Sequence, residues 1–242
     1  MVQNCAAEKY GYALKNMAEY RARVLEQTKE GMQLELDKHT VYLPFVGLFN
    51  AYNLLAVYAT ADLLGQDADE VALAMSQLAP PAGRLQQFMA PNGILGVVDY
   101  AHTPDALQNV LVTLSAMKEG GRIITVFGAG GDRDRDKRPE MGTIAGELSD
   151  QVILTSDNPR SESPEAIIEY IYAGVRPQHQ RRVLRITDRR EAIRTAVQLA
   201  QAGDIVLVAG KGHESYQEVA GQRHHFDDRE VLLAAFNELT TA

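Results

Sequence analysis

Four short runs concentrate carboxylates, guanidinium groups, amides and glycines in this 242-residue sequence: "DYAHTPD" (99–105), "GAGGDRD" (128–134), "SDNPRSE" (156–162) and "GKGHESYQ" (210–217). The third mixes acid, amide and guanidinium. Asp157, Asn158 and Arg160 set an acid, an amide and a guanidinium side by side just after the apolar run "QVILTS". Polar groups at the end of a buried strand must be solvated, paired or put to use. Two readings fit them: a turn whose polar residues cap the helix opened by Pro164, or a socket for a small ligand that carries both charges. Taken singly, each of the four runs reads as capping or loop-solvating sequence.

Familiar phosphate-binding patterns are poor matches. The glycines at 128, 130 and 131 begin a dinucleotide-type spacing, but Arg133 stands where its third glycine belongs, so a nicotinamide enzyme is disfavoured. In "AGKGHE" Lys211 is followed by glycine rather than the Ser or Thr of a phosphate loop, and the 242 residues contain no G-x-x-x-x-G-K-[ST]. His102 and His213 lie in different segments without helical metal-ligand spacing, which argues against zinc.

The elements that must position these runs follow from periodicity. Between Glu8 and Val46 short runs such as "RARVLEQT", "MQLELD" and "HTVYLPFV" read as antiparallel strands and hairpins. From Phe49 the apolar spacing becomes helical, and "QDADEVALAMSQL" repeats it after Gly65. "APPAGR" (79–84) is the Pro/Gly-rich hinge, giving expected domains 1–78 and 79–242. Beyond it five apolar strands alternate with amphipathic helices: "ILGVVDY", "RIITVFG", "QVILTS", "RVLRIT" and "DIVLVAG". That alternation predicts an α/β, Rossmann-like, mostly parallel sheet domain covered on both faces, preceded by a strand-rich unit with two helices. In such sheets ligands bind beyond the carboxyl ends of the strands, where all four polar runs fall.

Composition narrows the class. A net charge of -8 disfavours a nucleic-acid or membrane-surface role, which needs an extended basic face. Cys5 is the single cysteine, so neither an intrachain disulfide nor a multi-cysteine metal site is available, and a reducing, cytoplasmic compartment is expected. No apolar stretch is long enough to span a bilayer, and the first residues lack a secretory-signal pattern.

In order, "GLFNAYNLLA", "AGRLQ", "DYAHTPDAL", "FGAGGDRDRDKRPEMG", "SDNPRSE" and "AGKGHESYQ" closely resemble the Mur ligases, in the branch that adds the third residue of the peptidoglycan stem peptide. The resemblance covers nearly the whole chain. It implies an ATP- and Mg2+-dependent amide-forming ligase, acting through an acyl phosphate, that joins meso-diaminopimelate to UDP-N-acetylmuramoyl-L-alanyl-D-glutamate. The family's phosphate loop, magnesium ligands and carbamylated lysine have no counterpart here, so 1–78 is expected to be the last part of a central ATPase domain and the chain alone to be catalytically incomplete. A stand-alone diaminopimelate-binding module is the alternative. By similarity Asn53 matches an adenine contact, Arg84 a phosphate contact and Asp99 a ribose contact of ATP, with His102 beside them. Arg133, Asp157, Asn158, Arg160, Gly210 and Glu214 match the contacts to meso-diaminopimelate. The chemistry of that assignment is coherent: Arg160 with Asn158 would hold the distal carboxylate, Asp157 with Glu214 the distal ammonium.

Overall fold

The computed structural model describes residues 5–239 and divides into two compact units, Met1–Pro80 and Pro81–Ala242. In the first, strands β1 (Tyr12–Ala13), β2 (Tyr20–Gln27), β3 (Met32–Leu36) and β4 (His39–Leu43) form a sheet in chain order. β2, β3 and β4 are antiparallel, while β1 adds to β2 in parallel. In β3 Met32, Leu34 and Leu36 are buried and alternate with half-buried Gln33 and Glu35, the period-2 pattern of a sheet with one covered face. Helices α1 (Leu48–Leu63) and α2 (Ala68–Ser76) cover that face, with Leu55 and Met75 in its core. Asp67 caps α2, accepting from the Asp69 and Glu70 amides.

The second unit is a six-stranded sheet in the order β5-β6-β10-β7-β8-β9: Gln86–Met89, Leu95–Asp99, Ile205–Ala209, Ile123–Phe127, Gln151–Leu154 and Val183–Arg185. All neighbours are parallel except β5, which runs antiparallel to β6 at the edge. Every residue of β7 and β10 is buried, as helices on both faces require. Those helices are α3 (Pro104–Met117), α4 (Lys137–Leu148), α5 (Pro164–Tyr172), α6 (Arg189–Leu199) and α7 (Asp228–Leu239). Starts are written in the sequence. Thr103 and Ser163 each cap a helix whose first residue is proline, and Asp188 accepts from the Glu191 amide to cap α6. A hairpin, β11 (Tyr216–Val219) with β12 (Gln222–His225), follows β10. The five expected strands are β6 to β10, so the α/β reading of the sequence matches the architecture. No helix among the described residues is long and apolar enough to cross a membrane.

Candidate functional site

The register of the parallel strands aligns their last residues in one row. Ala209 ends β10 opposite both Asp99 of β6 and Phe127 of β7, and Phe127 is opposite Leu154 of β8. The four polar runs are the four loops that leave this row. β10 sits between β6 and β7 although it is the last strand of this sheet in sequence, so the crossovers diverge here, at the kind of switch point where parallel α/β sheets bind ligands.

On one side the loops form a locked polar socket. Asp157 and Asn158 are buried, and the Asn158 amide is fixed on three sides. Its Oδ1 accepts from Lys211 Nζ at 3.1 Å and from the Glu218 amide at 2.9 Å, while its Nδ2 donates to Glu214 Oε2 at 2.8 Å. Lys211 also donates to Glu214 Oε2 at 3.3 Å and has no exposed surface. Asp157 Oδ1 accepts from the Asn158 backbone N–H at 2.7 Å, but Asp157 Oδ2 is buried without a partner. A buried carboxylate oxygen left unpaired is costly unless something arrives to pair with it. Gly210, at φ +117°, keeps the approach to this oxygen clear: a Cβ there would lie 2.7 Å from it.

Beneath the socket Arg189 and Asp228 form a fully buried two-point ion pair at 2.7 and 2.8 Å. The same guanidinium donates to the Ala209 carbonyl at 2.9 Å, tying α6 and α7 to the end of β10. Arg160 adopts φ +51°, a left-handed conformation that is unusual for a side chain of this size. It is held there by the hairpin, because its amide donates to Glu218 O and its carbonyl accepts from the Ala220 amide. Its Nη1 donates to Gly131 O at 2.8 Å, leaving the other guanidinium N–H groups for a ligand.

The loop after β7 is locked to the same segment. The Gly131 amide donates to Asn158 O, and a Cβ at Gly131 would fall 1.9 Å from Pro159 O, so only glycine fits this approach. Buried Arg138 clamps Glu162 through two bonds of 3.0 and 2.8 Å, and this pairing lowers the Glu162 carboxyl to about 2. Arg133 is exposed beside the socket; its only hydrogen bond among the described residues is a 3.5 Å contact to Asp132 O.

The other side is an open shelf. The Arg84 guanidinium lies over the Tyr100 ring at 4.7 Å, and the His102 and His213 rings pack on Tyr100 at 4.5 and 5.3 Å. Asp99 is buried and accepts from the Leu85 amide at 2.7 Å and the Ala101 amide at 2.8 Å. Burial pushes its carboxyl above the ordinary value, with those amides, Arg84 and His102 opposing. Lys137 joins the two sides: it donates to His102 O at 2.8 Å and lies in the field of Asp157. Burial pulls its ammonium below the ordinary value, and Asp157 and Asp134 oppose that fall. Of the ten residues expected at a site, nine lie in this second unit; Asn53 lies in the first, exposed on α1 with Nδ2 3.4 Å from Asn50 Oδ1.

The family model for the Mur ligase glutamate ligase domain matches residues 83–212, more than half of the chain. The chain belongs to the Mur ligase family. Among curated relatives, the UDP-N-acetylmuramoyl-L-alanyl-D-glutamate--2,6-diaminopimelate ligase of Bacteroides thetaiotaomicron is 51% identical over 238 residues, covering 98% of this chain and 49% of that protein. The protein of the same name from Chlorobaculum tepidum is 46% identical over 220 residues, covering 90% and 43%. A solved ligase of that name superposes with TM-score 0.64 at 40% identity over 96% of this chain and 48% of its own. A UDP-N-acetylmuramate-alanine ligase from Thermotoga maritima, 19% identical, shares the fold at TM-score 0.68 over 96% of this chain and 48% of its own. The chain spans about half the length of the curated relatives it matches.

Against this Mur ligase framework, sequence reasoning missed Lys211, Lys137, Tyr100 and the Arg189–Asp228 pair. Lys211 was legible only as a failed phosphate loop. Its position two residues past a fully buried strand was the available signal, since a lysine there has to find buried partners.

Proposed function

We propose that the second unit is the amino-acid-binding part of an ATP-dependent, amide-forming Mur ligase of the cytoplasm, and that its substrate is meso-diaminopimelate, added to UDP-N-acetylmuramoyl-L-alanyl-D-glutamate. The observation that carries this reading is the unpartnered, buried Asp157 Oδ2, next in sequence to Asn158, which holds Glu214, and within the loop that presents Arg160. An ammonium satisfies the carboxylates, and a carboxylate satisfies the remaining Arg160 donors. A ligand carrying both at one end is what the arrangement fits, and the names of the half-identical relatives support the same choice.

ATP fits the shelf in kind. Arg84 is an exposed cation with no hydrogen-bond partner among the described residues, suited to a phosphate. Asp99 uses one acceptor position on each oxygen and keeps others, which suit ribose hydroxyls. ATP would supply the phosphoryl group that activates the acyl donor, the carboxylate of the UDP-linked substrate, and phosphate would leave when the amine of the amino acid attacks; this chain's part is to hold and orient. Arg133 and Arg160 would draw in the carboxylates of the amino acid, and Gly210 would leave room for its distal end. No three His, Cys, Asp or Glu side chains among the described residues converge as a metal cluster.

Calorimetric titration of meso-diaminopimelate and L-lysine into the chain tests the reading, because lysine lacks only the distal carboxylate. Hydrogen bonds to a charged group contribute about 1.5–3 kcal/mol, a preference of roughly ten- to a hundred-fold. Arg160→Ala should remove most of that preference and spare lysine, and Arg160→Lys should restore part of it. Equal affinities of the parent for both amino acids would overturn the substrate assignment.

A further inference from the structure

Lys211 is a lysine with no exposed surface, and both of its hydrogen-bond partners are residues of the socket. Its ammonium donates to Asn158 Oδ1 at 3.1 Å and Glu214 Oε2 at 3.3 Å, and lies 5.5 Å from the centre of the Tyr216 ring. Burying a charge in this way is unfavourable unless it is paired and hydrogen-bonded, and the pairing here is with two residues of the socket. We propose that Lys211 is the positioning residue of the socket: it fixes the Asn158 amide and one Glu214 oxygen so that the other Glu214 oxygen and Asp157 Oδ2 form the two-point acceptor for the distal ammonium. This rests on the diaminopimelate reading above and deepens it.

The hydrogen bonds make the arrangement one-directional. Asn158 Oδ1 meets two donors, Lys211 and the Glu218 amide, and Nδ2 meets a carboxylate. A flipped amide would set its oxygen against Glu214 and its NH2 against two donors, so only one orientation is stable. With Asn158 and Lys211 both on Glu214 Oε2, Oε1 has no hydrogen bond among the described residues and the carboxylate cannot rotate freely. Charge follows the same logic. Asp157 and Glu214 place two negative charges in the socket; Lys211 offsets one of them from within, and Lys137 lies in the field of Asp157. The lower Arg189–Asp228 pair is neutral by itself and leaves this balance unchanged.

Lys211→Met keeps the length and apolar stem of the side chain and removes its charge, and Glu214, partly exposed, stays solvated. Three ligands separate the roles: meso-diaminopimelate, L-lysine, and 2-aminopimelate, in which the distal ammonium is replaced by hydrogen. The variant should bind the first two about ten- to a hundred-fold more weakly and 2-aminopimelate within about twofold of the parent. Glu214→Gln should give the same pattern, and Lys211→Met/Glu214→Gln should lose little more than either alone, because one residue acts through the other. In the unliganded chain, the Asn158 side-chain amide should lose its protection from solvent exchange in Lys211→Met, read by NMR. Equal weakening of all three ligands, or additive losses in the double variant, would overturn the inference and leave the substrate reading intact. A parent that does not prefer meso-diaminopimelate to 2-aminopimelate would overturn both.

Discussion

On the Tyr100 shelf, Arg84 lies over the ring, His102 meets it edge-on and His213 at a tilt, and all three stay open to solvent. Around Asp157, by contrast, Asn158, Lys211 and Arg189 are buried and held by directional bonds, and Asp157 Oδ2, like Arg138 Nε in the neighbouring clamp, is buried without one. Both regions grow from the same row of strand ends, so the fold does not dictate the difference; the loop residues do. Stacked contacts tolerate small shifts and suit a ligand held by charge and planar surface. A directional lattice of hydrogen bonds holds its free groups in place before the ligand comes, and the ordering is done once, during folding. The socket should therefore govern selectivity and be coupled to stability, whereas the shelf should govern nucleotide affinity alone.

The largest effect expected from this contrast is on stability. Asp228→Ala strands the Arg189 guanidinium in a fully buried position, still pointing at the Ala209 carbonyl beneath the socket. Breaking a buried pair by removing one partner costs about 3–5 kcal/mol, measured here as a fall in the urea midpoint at unchanged slope. A loss below about 1 kcal/mol would mean that the socket does not stand on this pair, and the contrast in rigidity would fail.

A middle-sized effect is expected at the clamp between the loops after β7 and β8. Replacing Glu162 by Gln weakens both bonds from buried Arg138, and hydrogen bonds to charged groups are worth about 1.5–3 kcal/mol. The sign with pH is set by the depressed carboxyl. Its folded value of about 2 lies below the ordinary 4.5, so the parent's extra stability is present above about 4.5 and is lost as pH falls from there toward 2. Denaturation midpoints of parent and Glu162→Gln should therefore be separated at neutral pH and converge in that window. Curves that stay parallel down to pH 2 would show that the clamp is not an ionised pair.

How much of this was legible in the sequence depended on whether a feature was local. The strands β6 to β10 announce themselves by apolar runs, and the helix starts by Thr103-Pro104 and Ser163-Pro164. β5 did not, because "QQFM" at a sheet edge is half-buried and has no alternation to read. Strand order was also hidden: nothing in "DIVLVAG" says that it inserts between β6 and β7. The residues matched to diaminopimelate lie on the loops after β7, β8 and β10, and several of them are held by partners far away in sequence. Arg160 depends on Glu218 and Ala220 for its backbone, and Asn158 on Lys211. Arg189 and Asp228, 39 residues apart, look like solvated helix starts until the fold buries them against each other. Ser163 caps α5, so the bland reading of "SDNPRSE" holds for its neighbour and not for Asp157 to Arg160.

The smallest effect, and the one that separates the two regions most directly, belongs to Arg84. Its guanidinium is exposed and stacked on Tyr100, so removing it leaves no buried group unpaired and should not move the urea midpoint measurably. Nucleotide affinity should fall about tenfold, the low end for a charge-assisted bond, because water and salt screen an exposed pair. Arg84→Lys should recover part of the loss, keeping the charge and giving up the planar contact with the ring. Meso-diaminopimelate affinity should stay within about twofold in both variants. Salt sharpens the distinction: raising it should shrink the parent-to-variant difference for ATP, while the selectivity set by Arg160 over the buried socket should persist. If Arg84→Ala weakened both ligands equally, shelf and socket would be one coupled site, and the opposition between open stacking and buried lattice would describe appearance and not function.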